Sequence, residues 1–316
     1  MSNWKYTKGL HDLGNSVYAY LLPNGSWGWS NAGLITDGET SLLVDTLFDL
    51  PLTQEMLDTM RKSIPAASHI DMLVNSHANG DHCYGNELVA DSRIIASART
   101  AHQMRTEAPP EQFAELLRLT PEMGKTGEFI ARIFGSFKFD NITLTLPKET
   151  FEGMLDLKVG NKDVRLIEVG PAHTLGDTLI HIPSDRVVFT ADILFIGGHP
   201  IAWAGPVSNW IRACDYILSL DVETIVPGHG PITDKQGVRE FKGYLEYVLA
   251  ETRTRYDSGM PAFEAAKSIA MDRYASWTDG ERIAVTVAAI YRELSGDPSH
   301  ADVTASFAEM AELAER

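Results

Sequence analysis

IDMLVNSHANGDHCYG, residues 70–85, is the stretch on which the reading of this chain turns. Its first seven residues form a mostly apolar run of the kind that makes a buried strand. The run passes directly into a short loop that carries His77, Asp81 and His82 around Gly80. A strand feeding a short loop aims the loop side chains at one rim of a sheet, so groups distant in sequence can converge there. Imidazole nitrogen and carboxylate oxygen are ligands for zinc and for metals of the same borderline class. Alone, a His-x-x-x-Asp-His string is weak evidence, because most such strings hold no metal.

The same plan recurs on both sides of this stretch. TSLLVDT (40–46) is an apolar strand that stops on Asp45, and RVVFTAD (186–192) is a similar one that stops on Asp192. VRLIEVGPAH (164–173) leads to His173 in the loop PAHTLGD, and VETIVPGHG (222–230) leads to His229. Four of the ten histidines thus sit at strand ends in loops rich in Gly, Asp or Thr. The likeness of TSLLVDT to RVVFTAD suggests two related halves facing each other.

The order of these segments (Asp45, HANGDH, PAHTLGD, FTAD, PGHG) resembles the metallo-β-lactamase-fold superfamily over roughly residues 15–232. The resemblance implies an α/β (α+β) chain folded as a four-layer αββα sandwich, with one or two metal ions along one edge of the paired sheets. It implies that His77 and His173 bind a first metal, that Asp81, His82 and His229 bind a second, and that Asp192 bridges them. Asp81 and Asp192 would also orient the attacking water, and Asp45 would steady a ligand or loop by hydrogen bonding. Zinc is the implied metal, with iron or manganese as alternatives. At one position the chain departs from the pattern: Asn79 stands where the family carries a second histidine. An amide oxygen is a weaker donor to zinc-class metals than imidazole. Asn79 therefore implies a looser first site, or a separate role in holding water or substrate.

Other residues are weighed against these. His199, in GGHPIAWAG, lies near the rim and is read as a plain loop histidine in preference to a proton donor or ligand. Trp27 and Trp29, in the loop PNGSWGWSN, are read as either pocket wall or core anchors. Cys83 is read as a small buried hydrophobe. His181 lies within a strand, and His11, His69, His102 and His300 lie outside the motifs, so all five are taken as structural or surface residues.

Residues 16–22 and 31–36 read as further strands, and a hairpin is expected at Asp37-Gly38. Residues 51–64 fit a helix with Pro51 in its first turn, and 207–219 fit another. Residues 105–140 break the pattern with EQFAELLRL and FIARIFGSFKF. An apolar insertion between metal motifs is expected to form a lid or pocket wall, with Phe129 and Phe134 facing the substrate; the alternative is a helix pair packed on the core or on another subunit. From residue 233 onward the chain turns helical, over roughly 234–257, 261–271, 279–294 and 300–315. Thr278–Glu281 reads as a capping box and Gly296 as a helix stop. The expected organisation is a catalytic domain over 1–232, with accessory helices over 233–316 that hold no chemical motif.

The formal charge of −16 repels phosphate backbones and anionic membranes, so neither nucleic acid nor membrane is an expected partner. Cys83 and Cys214 are too few and too far apart for a disulfide framework. No apolar leader or spanning segment is evident, and a cytoplasmic location is expected. With no GxSxG elbow, GxGxxG or P-loop, the attacking group is expected to be water activated by the metal. The expectation is a hydrolase of a small, uncharged or weakly charged molecule, apolar or aromatic, through an ester, lactone, thioester, amide or activated aryl ether bond. An iron-dependent oxidoreductase on the same fold and a non-catalytic binding subunit remain as alternatives. Homo- or hetero-oligomeric assembly is left open.

Overall fold

The antiparallel run expected over residues 16–46 becomes the edge of a large sheet in the computed structural model, which describes residues 4–299 and 301–315. That sheet holds β1 (Gly9–Asp12), β2 (Val17–Leu21), β3 (Ala32–Asp37), β4 (Thr40–Val44), β5 (Met72–Val74), β6 (Arg93–Ser97) and β7 (Glu149–Phe151), in that spatial order. Its first four strands pair antiparallel and the rest are parallel. The β3–β4 hairpin closes through Gly38-Glu39, and Gly38 takes φ +61°, the positive value needed at the first central position of a tight two-residue turn.

A second sheet holds β8 (Met154–Val159), β9 (Lys162–Glu168), β10 (Thr178–Ile182), β11 (Val187–Phe195) and β12 (Thr224–His229), in the order β12-β11-β10-β9-β8. Only β11 and β12 pair parallel. β11 is buried along its whole length, because it is covered on both faces. β8 lies at the edge and alternates buried and exposed residues toward its end.

The helices are α1 (Leu50–Ser63), α2 (Gly80–Cys83), α3 (Ala98–Thr106), α4 (Pro110–Leu119), α5 (Gly124–Phe134), α6 (Val207–Ser219), α7 (Lys235–Asp257), α8 (Ala262–Ser268), α9 (Ile283–Ser295) and α10 (Val303–Leu313). Val17, Ile35, Val44 and Val74 of the first sheet meet Leu166, Ile180 and Phe189 of the second in one apolar layer. On the outer face of the first sheet, Leu34, Leu43 and Leu73 pack against Met56, Leu57 and Met60 of α1. On the outer face of the second, Leu179 and Val188 share a core with Trp210 of α6, Leu245 of α7 and Ile290 of α9. The layers therefore run helix, sheet, sheet, helix. A fourth cluster, rich in Phe, sits over the rim between α4, α5 and α10.

Three expectations need correction. β11 does not stop on Asp192 but continues to Phe195, after a kink at Ala191 (φ +43°) that shifts its register on β12. Thr278–Glu281 is no capping box: Asp279 adopts φ +60°, makes no side-chain cap, and is followed by a 3₁₀ turn before α9 begins at Ile283. Its Glu281 instead accepts a 2.9 Å hydrogen bond from Trp27 Nε1. Gly296 does end α9, at φ +69°, with its N–H returned to the last turn. The last helix begins at Val303, and His300 lies outside the described residues.

Candidate metal centre

Each sheet contributes one half of a cluster at the rim where their strand ends meet. His77 follows β5, and Asp81 and His82 ride on the single turn α2. His173 sits in the β9–β10 loop, Asp192 on β11 past its kink, and His229 at the end of β12. Asp192 stands at the centre. Its Oδ1 is 3.0 Å from His82 Nε2, and its Oδ2 is 3.3 Å from His173 Nε2, 3.4 Å from His229 Nε2 and 3.8 Å from His77 Nε2. Asp81 Oδ2 lies 3.3 Å from His229 Nε2 and 3.9 Å from His82 Nε2. The approach of β11 to β12 requires Gly228, where a Cβ would stand 1.9 Å from Asp192 Oδ1.

The outward nitrogens decide how the inward ones are presented. His173 Nδ1 is 2.7 Å from the Ile201 carbonyl, and His229 Nδ1 is 3.0 Å from the Gly25 carbonyl. His82 Nδ1 is 3.0 Å from Asp45 Oδ2. Ser76 Oγ gives its own proton to Asp45 Oδ2 at 2.7 Å, so it accepts from His77 Nδ1 at 3.0 Å. Each acceptor needs Nδ1 to carry the proton, which leaves Nε2 of each ring, turned toward Asp192, as the nitrogen that could hold a metal. Asp45 also accepts from the Ser76 backbone N–H at 2.7 Å, and it sits at φ +61°, beneath His77 and His82 together.

Electrostatics point the same way. Burial opposes charge on His82 and His229, but the Asp192 and Asp81 carboxylates outweigh it, holding His82 well above the usual range and His229 at about 9. Burial with neighbouring His82 pushes His77 well below its usual value. Burial would raise Asp192, yet His229, His82 and His77 pull it far down. Two buried carboxylates among four imidazoles thus demand positive charge at their centre. His77 Nε2, His82 Nε2 and Asp192 Oδ1 are buried without a hydrogen-bond partner, as atoms reserved for another ligand would be. His77, His82 and Asp192 form one group able to hold a metal ion, and Asp81, His82 and His229 form another. The nitrogen and carboxylate donor set fits a zinc-class ion.

Asn79 stands beside His173, whose Nε2 faces Asp192 at 3.3 Å. Its side-chain amide lies 2.6 Å from His173 Nε2. Asn31 acts at a distance from the chemistry: its amide accepts from Leu22 N and donates to the carbonyls of Pro227 and Gly230, tying the first sheet to the His229 loop.

Above the cluster opens a cavity of about 650 Å³ whose lining includes Asn79, Asp81, His173, Asp192 and His229. Trp27, Phe48, Tyr84, Phe113, Phe134 and Phe307 make most of its aromatic wall. Trp27 is therefore pocket wall, whereas Trp29 packs on Phe137 with ring centres 4.9 Å apart and does not line this cavity. Phe134 lines it, but Phe129 stands behind, against Trp27 and Phe307. The insertion is thus wall in part and core in part. His199 does not line the cavity; it is buried against Tyr244, its Nδ1 2.9 Å from the hydroxyl, and burial pushes its pKa down to about 4. Cys83 is buried, and burial pushes its thiol well above the usual range. The helical tail is not free of cavity residues: Arg282, Val303 and Phe307 all line it. Phe48, three residues beyond Asp45, carried a signal in its nearness to a motif, whereas Arg282 carried none.

The metallo-beta-lactamase superfamily profile matches residues 25–229, and the chain belongs to that superfamily. Among individual proteins, it is 32% identical over 76 residues to the 2,4-dinitroanisole O-demethylase subunit alpha of Nocardioides sp. (strain JS1661), covering 24% of this chain and 23% of that one. It is 20% identical over 225 residues to the Beta-lactamase-like protein 2 homolog of Caenorhabditis elegans, covering 71% of this chain and 63% of that one. Among solved structures it is similar to the stereoselective inverting sec-alkylsulfatase Pisa1 from Pseudomonas sp., with TM-score 0.67, 16% identity, and 92% of this chain and 50% of that one covered. A metallo-beta-lactamase from Pontibacter korlensis matches with TM-score 0.54 and 16% identity over 76% of this chain and 99% of that one. The chain thus spans less than two thirds of both sequence relatives and half of the sulfatase. No helix of the described residues is long and apolar enough to cross a membrane.

Proposed function

We propose that this chain is a metal-dependent hydrolase that uses water to cleave an ester-type bond in a small molecule with an apolar or aromatic body, with zinc as its metal. The observation that carries the proposal is the convergence of four imidazole Nε2 atoms and two carboxylates on the floor of an aromatic-walled cavity. A divalent cation bound there would supply Lewis acidity and lower the pKa of a water from 15.7 to about 7. Asp81 and Asp192 would accept hydrogen bonds from that water and fix its direction. His77, His82, His173 and His229 keep their Nε2 atoms aimed inward through their Nδ1 partners. Trp27, Phe48 and Phe134 exclude bulk solvent and bury the substrate body, which strengthens every charge interaction on the floor. Candidate bonds are ester, lactone, thioester, amide and activated aryl ether; by its name the sulfatase adds an alkyl sulfate ester, and the O-demethylase subunit supports the aryl ether.

The test is elemental analysis of the purified protein combined with a screen of those bond types, before and after chelation. The expected result is hydrolysis that chelation abolishes and zinc restores. Undiminished hydrolysis without metal would overturn the proposal. So would an iron-loaded protein that consumes oxygen and hydrolyses nothing, which would favour an oxidoreductase.

A further inference from the structure

We propose that Arg282 makes this cavity a site for an amphipathic anion, a molecule with an apolar or aromatic body and one anionic oxygen group such as sulfonate, sulfate or carboxylate. The inference rests on the reading that the cavity receives the substrate, and it narrows the uncharged or weakly charged substrate expected from sequence to an anion.

Arg282 is only 2% exposed and lines the same cavity as Asp192 and His229. Its guanidinium carbon lies 4.3 Å from the centre of the Trp27 ring and 5.5 Å from that of Phe195. Phe195 in turn stacks on His229, with ring centres 5.1 Å apart and planes within 1°. The cation is thus one aromatic ring away from a candidate metal ligand. A guanidinium has five N–H donors. Here Nη1 donates to the His199 carbonyl at 3.2 Å, and Nη2 makes a long ion pair, 3.5 Å, with Asp279 Oδ2. Nε is buried and has no hydrogen-bond partner. Asp279 is itself engaged, because it accepts from Ser26 Oγ and Thr278 Oγ1.

A buried cation with idle donors is costly unless something accepts from them. A purely structural role accounts for the aromatic contacts and the Asp279 pair but leaves the buried Nε without an acceptor. The surrounding rings supply no acceptor. A planar fork beside aromatic faces is matched by an anionic group with two or more oxygens. The aromatic wall then takes the apolar body of the same molecule.

The test is calorimetric binding of 1-octanesulfonate and 1-octanol to the metal-loaded protein and to Arg282→Met and Arg282→Gln. The C–S bond of the sulfonate resists hydrolysis, so binding is read apart from turnover. Wild type is expected to prefer the sulfonate. Either variant that folds, judged by a cooperative melt, should lose at least ~10-fold in sulfonate affinity while octanol stays within about twofold. Equal losses for both ligands would make Arg282 a packing residue, and unchanged sulfonate affinity would place the anion elsewhere; either result overturns the proposal. Failure of both variants to fold would do the same, by showing a structural role. Metal content and ester hydrolysis, measured in parallel, separate this test from the hydrolase reading. A metal-free, inactive protein with an Arg282-dependent sulfonate preference would sink that reading and leave the anion site standing.

Discussion

Asp192 touches all four imidazoles, so its charge is the one the centre can least do without. Asp192→Asn keeps the shape and removes that charge, and turnover should fall at least ~100-fold. The melt should stay cooperative, since the residue stands at a rim; near-normal turnover with metal bound would refute the role. Asn79 presents a different case. Its Oδ1 lies 2.6 Å from His173 Nε2, the nitrogen left facing the centre while Nδ1 is held by the Ile201 carbonyl. Asn79 then competes with a metal for His173. Of the two ion positions, the one served by Asp81, His82 and His229 should fill first. Asn79→His should tighten the other by about 10–100-fold. Titration of zinc into both metal-free forms reads this directly, and two equally tight sites in the natural chain would refute it. His199 carries a pH signature. Its folded pKa of about 4 lies below the usual 6.5, so its contribution to stability is complete above 6.5 and is lost as pH falls toward 4. Denaturation at about pH 7.5 and about pH 5 should show His199→Gln sparing roughly 2 kcal/mol of the decline seen in the natural chain. Equal declines would show that the ring is protonated without cost.

The insertion helix α5 serves two purposes at once. Phe134→Ala should open the cavity and change preference between bulky and small substrates more than turnover on the small one. Phe129→Ala, one turn earlier and behind the wall, should leave preference alone and cost about 3–5 kcal/mol in stability. Kinetics on two substrates beside denaturant melts separate these outcomes, and matching behaviour of the two variants would contradict the division. The strands bearing His77, Asp192 and His229 were legible because each is a buried apolar run that passes into polar motif residues. β1 and β7 were not, because GLHD and ETF have neither a run nor an alternation. The continuation of β11 past Asp192 was hidden, because nothing about Ala191 announces a positive φ. Arg282 was illegible for another reason: its significance lies in rings from residues 27 and 195, and no local spacing encodes that.

Across the whole molecule, the ligands are divided evenly between two sheets. His77, Asp81 and His82 belong to the first, and His173, Asp192 and His229 to the second. Each sheet can gather much of its own structure from neighbouring strands, but bringing residue 82 to residue 229 closes a very long loop, and contacts of that kind form late. The centre is therefore expected to form when the two sheets dock, after each has gathered its own strands. Asn31, whose amide joins the Leu22 end of the first sheet to the loop after β12, guards that step. On dilution from denaturant, the natural chain should regain its far-ultraviolet signal first and capture zinc afterwards. Asn31→Ala should stretch the interval, slowing zinc capture while secondary structure returns at its former rate. Uptake of metal is then a clock for the last event in folding, and a chain interrupted before that event would be left with two half-sets of ligands and no metal to hold them.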